Sequence, residues 1–140
     1  MSRRARALPL APTLALTLAL AAPAAAQDAR SGQFTFFSFC SGCHGAEAEG
    51  NGPTAAVLTV TPPDLRGLAA ANGGSFPTAR VIARIEGTDP LASHGGPMPL
   101  YGGIFEGAER AIAETPAGMI QTTAVVLDLV AWLESVQVAE

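Results

Sequence analysis

Phe39-Cys40-Ser41-Gly42-Cys43-His44 places two cysteines three residues apart, with a histidine directly after the second. This is the C-x-x-C-H spacing of covalent haem attachment. On a helical turn, residues three and four apart share a face, so Cys40, Cys43 and His44 can all address one flat ring. Each thiol can add to a vinyl group as a thioether, and the imidazole of His44 can ligate the iron. The chain offers little support for other uses of the motif. A redox dithiol of this spacing belongs beside a βαβ pattern, which is missing here. A zinc site would have only two cysteines and two histidines, His44 and His94, to draw on. Adjacent Cys43 and His44 suit one tetrahedral ion badly.

Working outward, Met1 to Ala26 reads as an export signal. Arg3, Arg4 and Arg6 form a basic start, Leu8 to Ala22 an apolar stretch, and Ala24-Ala25-Ala26 a small-residue cleavage site. The apolar run, broken by Pro9 and Pro12, falls short of the ~20 residues of a membrane span. Residues 27–140 then make one small domain, expected in the periplasm. Both cysteines lie in the haem motif, so no disulfide remains to staple a chain this short, and a buried haem would serve instead. All eight basic residues are arginine, and the formal charge is −4. Losing residues 1–26 removes three arginines and no acid. So acidic a surface opposes nucleic acid and anionic membrane, and favours redox partner proteins with a basic or apolar docking patch.

The periodicity predicts helices and long loops. A first helix is expected over Gly32 to Gly42, with Phe34, Phe36, Phe37 and Phe39 shared between core and haem. Ser75 is a candidate cap for a second helix, whose apolar face is Val81, Ile82 and Ile85 and whose stop is Gly87. A short helix, interrupted at Gly107, is expected within Ile104 to Glu114. The strongest pattern runs from Thr122 to Val136, where Leu129, Trp132 and Leu133 recur at helical spacing. No strand pairing is evident, so the class is all-α. With one C-x-x-C-H motif, one haem is expected.

A sixth iron ligand would close the site for electron transfer. The candidates are Met98, Met119 and His94. Met98 is favoured, because Pro97 and Pro99 fix the backbone around it while Gly95-Gly96 permits close approach to the ring. Met119, before the last helix, reads as packing, and His94 would give a bis-histidine iron.

Taken together, Cys40-x-x-Cys43-His44 near the start, the Met98-Pro99 loop and a closing helix with Trp132 resemble class I c-type cytochromes, in particular small bacterial periplasmic ones. The resemblance spans essentially all of residues 27–140. It implies a small all-α cytochrome c fold with helices packed around one covalently attached haem c, and Gly32 with Phe36 or Phe37 meeting Leu129 and Trp132. It implies that Pro53, in Gly52-Pro53, accepts a hydrogen bond from His44. It also implies that Tyr101 and Arg66 approach the haem propionates. The function it implies is one-electron transfer with His44 and Met98 as axial ligands, not catalysis. A subunit of a larger dehydrogenase or oxidase complex, and an open-site haem protein that binds small ligands, are the competing readings.

Overall fold

The computed structural model describes residues 27–89 and 98–138. The expected signal over 1–26, His94 and the Gly95-Gly96-Pro97 run lie outside the described residues. Helix α1 spans Ala29–Phe39, and after a kink at Cys40 one turn, α2, spans Ser41–His44. Three 3-10 turns follow at Ala55–Val57, Leu65–Gly67 and Ala70–Asn72. Helix α3 covers Thr78–Glu86 and α4 covers Gly102–Phe105. Strands β1 (Arg110–Thr115) and β2 (Gly118–Thr123) lead into the last helix, α5 (Ala124–Ser135).

The crossing of α1 and α5 is the main packing event. Gly32 sits so close to α5 that a Cβ there would lie 1.8 Å from the Asp128 carbonyl oxygen. That absence of a side chain lets Phe36 reach Trp132, with ring centroids 4.3 Å apart. Phe36, Val126 and Leu129 are essentially solvent-free. The start of α1 is tied down as well: the Asp28 carboxylate caps Arg30 N at 2.9 Å, and Asp28 N donates to the Asp128 carboxylate at 2.8 Å. Gly32 and Phe36 thus meet α5 as expected, whereas Phe37 is 47% exposed.

Boundaries shift for local reasons. Helix α3 starts at Thr78, and Ser75 does not cap it, because the Ser75 carbonyl is held by the Asn72 amide at 2.9 Å. Gly87 ends the helix in the left-handed conformation (φ +80°), as its position implies. The Thr123 hydroxyl caps α5 by accepting from Val126 N.

The expectation of an all-α fold needs correction: the chain is mostly helical but carries a two-stranded antiparallel sheet. A helix is found at 102–105 only, and the residues after it alternate between exposed and inward positions. Ala111, Ala113, Ile120 and Thr122 share the inward face, with Ala113 paired to Ile120 and Ala111 to Thr122. Burial on one side and water on the other is strand patterning, and Thr115-Pro116-Ala117-Gly118 makes the tight turn. The hydroxyl of Thr122 donates to the Glu86 carboxylate at 2.6 Å, joining this hairpin to the end of α3.

The C-terminal residues close the other side. The Gln137 amide donates to the carbonyls of Leu65 and Leu133 at 2.8 Å, and its oxygen accepts from Ala69 N. Val138 N donates to Arg66 O at 3.0 Å. Among the described residues, no helix is long and apolar enough to cross a membrane.

Candidate functional site

Cys40, Cys43 and His44 occupy one turn because the chain kinks at Cys40 and restarts: His44 N donates to Cys40 O at 2.9 Å. The loop after His44 wraps tightly around that turn. Gly50 N meets His44 O at 2.8 Å, and Gly52 N meets Cys43 O at 3.0 Å. Thr54 reaches Gly42 O through both its backbone N–H and its hydroxyl. A Cβ on Gly52 would stand 2.4 Å from Gly42 O, so this passage needs glycine.

The turn forms one wall of a cavity of about 430 Å³. The other walls are largely apolar: Phe36, Leu58, Leu68, Val81, Ile85, Leu129 and Leu133. Met98 and Tyr101 also line it, half-buried against the core. Two thiols, one imidazole and one thioether therefore face a single apolar space of ligand-binding size. This donor set fits a covalently tethered haem with nitrogen and sulfur available to the iron.

His44 is 8% exposed, and its Nδ1 lies 3.3 Å from the carbonyl oxygen of Pro63. A carbonyl can only accept, so Nδ1 carries the hydrogen and Nε2 is left for a metal. The expected role of Pro53 is corrected here. Gly52 is pinned behind the motif, which leaves Pro53 exposed and off the cavity wall, while the Pro62-Pro63 segment comes round to face the imidazole. Burial lowers the pKa of His44, partly opposed by the Pro63 contact, and so favours the neutral ring that ligation requires. Burial, reinforced by neighbouring Cys43, pushes the Cys40 thiol up to about 11.

Two further expectations also change. Arg66 does not line the cavity; its guanidinium is engaged by Glu49 at 2.6 Å and Asp64 at 2.8 Å on the surface. Tyr101 does line the cavity, but its hydroxyl donates to the Phe39 carbonyl at 2.8 Å and is not free for a propionate. The cations on the cavity wall are Arg80 and Arg84, one turn apart on α3, the latter 3.8 Å from Asp89. The sequence reading overlooked both. Their i, i+4 spacing beside Val81 and Ile85 is the signal that points them at the cavity edge.

The stretch after Met98 is anchored to α3 and α1. Tyr101 N donates to Ile85 O at 2.9 Å, and a Cβ on Gly102 would stand 2.6 Å from Glu86 O. The Tyr101 ring stacks 6.1 Å from Phe105 and meets Phe39 edge-on at 6.0 Å. Tyr101→Phe removes only the hydroxyl bond. It is expected to lower stability by about 1 kcal/mol and leave the visible absorption spectrum unchanged, as thermal unfolding and optical spectra will report. A displaced spectrum in this variant would mean the hydroxyl acts on the cofactor itself. Met119, by contrast, stands 77% exposed on β2, outside both core and cavity.

Comparison with known families gives one match: the cytochrome c family model aligns with residues 29–137. No curated protein and no solved structure matches the chain.

Proposed function

This chain belongs to the cytochrome c family, and from that premise we propose that it is a periplasmic one-electron carrier in which His44 and Met98 are the axial ligands. The single observation that carries this reading is that Cys40, Cys43, His44 and Met98 line one apolar cavity. Haem c, attached covalently in this family, supplies the one-electron chemistry. Everything else is done by the chain's own residues.

Cys40 and Cys43 hold the macrocycle through thioether bonds. His44 offers Nε2, because the Pro63 carbonyl holds the proton on Nδ1 and sets the plane of the ring. Met98 offers a soft, neutral sulfur, which favours reduced iron and so raises the potential. Its position is supported by the bonds of Tyr101 to Ile85 and Phe39 three residues on. Phe36, Leu129 and Leu133 exclude water, which keeps the site in a low dielectric where charge changes on the iron are strongly felt. Residues 1–26 support export to the periplasm. The net charge of −4 supports redox partner proteins with a basic docking patch, and the exposed Val60 and Leu100 support an apolar contribution to that contact.

Met98→Ala tests the ligand assignment. The variant is expected to keep its haem through denaturation but lose the sulfur-to-iron absorption band. It should also bind carbon monoxide rapidly when reduced, unlike the parent. Its midpoint potential should fall by a sizeable part of the ~0.8 V range that axial ligands span. An unchanged spectrum would eliminate Met98 as a ligand, and rapid carbon monoxide binding by the parent would favour an open-site haem protein instead.

A further inference from the structure

The hairpin presents a strand edge whose chemistry is complementary to itself. Ala124 N donates to Glu109 O at 2.8 Å, in line with the β1–β2 register. That bond fixes the parity of the ladder: residues 109, 111, 113 and 115 bond to β2, and residues 110, 112 and 114 turn their N–H and C=O groups away from it. Among the described residues, no hydrogen bond engages those outward groups. The side chains at the same positions, Arg110, Ile112 and Glu114, are all exposed, Ile112 by 55%.

We propose that β1 pairs antiparallel with β1 of a second copy, in the register that sets Ile112 opposite the partner's Ile112 and Arg110 opposite the partner's Glu114. Charges on a strand edge ordinarily discourage pairing. Here Arg110 and Glu114 are spaced equally about Ile112, so a two-fold axis through Ile112 matches each charge with its opposite on one face. Parity selects the same register, because 110, 112 and 114 are the positions with free backbone groups, and each opposed pair exchanges two hydrogen bonds. The β2 edge lacks this complementarity. Its outward positions are Met119, Gln121 and Thr123, and Thr123 is buried and occupied in capping α5. One short strand per copy makes a small interface, so the dimer is weak and concentration-dependent.

The haem-loaded full chain, sedimented at concentrations up to ~1 mM, tests the proposal. The expected result is a monomer–dimer equilibrium. Arg110→Glu or Glu114→Arg alone should weaken it by roughly tenfold or more by opposing like charges, and the double exchange should restore it. Ile112→Pro removes an outward N–H at no cost to the β1–β2 ladder and should also yield monomer. None of these residues lines the cavity, so an unaltered visible spectrum certifies that each variant is folded around its haem. Hydrogen exchange should show the amides of 110, 112 and 114 gaining protection as concentration rises. A monomer at every concentration, a dimer indifferent to both single exchanges, or protection moving to Met119 and Gln121 would overturn the assignment.

Discussion

Replacing both Cys40 and Cys43 by alanine is expected to abolish covalent retention of haem. Each single replacement should leave one thioether and partial retention. Haem staining after denaturing electrophoresis separates the three outcomes, and a double variant that still carried stain would refute the role given to these thiols. The consequence reaches stability too. A polypeptide that has lost its cofactor must either collapse onto, or let water into, a space of about 430 Å³. At about 24 cal/mol per Å³ of unfilled volume, that corresponds to roughly 10 kcal/mol, comparable with the whole stability of a small domain. Circular dichroism of the double variant should therefore show a largely unfolded chain at room temperature. A native helical spectrum would show that the α1–α5 crossing is self-sufficient.

The second large effect is expected at Gly32→Ala. The added methyl would stand 1.8 Å from Asp128 O and 2.9 Å from Leu129 N, both backbone atoms of a helix that cannot step aside. Alanine gains about 1 kcal/mol in helix propensity, but forcing two packed helices apart costs about 3 kcal/mol or more, so the packing loss dominates. A drop of roughly 10 °C or more in the thermal midpoint of the haem-loaded protein should result. Gly42→Ala is the control, since nothing stands within 4 Å of its added atom and its midpoint should hardly move. Equal midpoints for the two variants would mean that the crossing tolerates a wider separation.

Much of this arrangement is written locally. The attachment turn, the glycine stop of α3 and the apolar face of α5 each follow from short-range patterns. The meeting of Gly32 and Phe36 with Leu129 and Trp132 came through family resemblance. The hairpin was hidden because Ala111, Ala113 and Glu114 are poor strand formers, and two strands hold together only where one face rests on a core. Its signal was the alternation around Ile112 with Pro116 and Gly118 at the turn. Pro53 was a plausible partner for His44 by proximity along the chain. Close backbone passage at Gly52 instead carries Pro53 behind the turn, and such passage cannot be read from residue types. Arg66 was misjudged for a different reason: Asp64, two residues away, and Glu49 satisfy its guanidinium before any ligand can. Met98 was singled out by its proline-flanked setting, and the bonds that steady the following segment, at Tyr101, are tertiary.

The side chain of Gln137 has a reach out of proportion to its place near the end of the polypeptide. It fastens the backbone at 65 and 69, immediately downstream of the Pro63 carbonyl that sets the imidazole plane of His44. Trimming the final few residues by an exopeptidase would thus be felt at the metal, although the cut lies more than ninety positions from the histidine. Any reporter or purification handle fused at this terminus must begin beyond Val138, or it will loosen the iron's own ligand from the far end of the gene product.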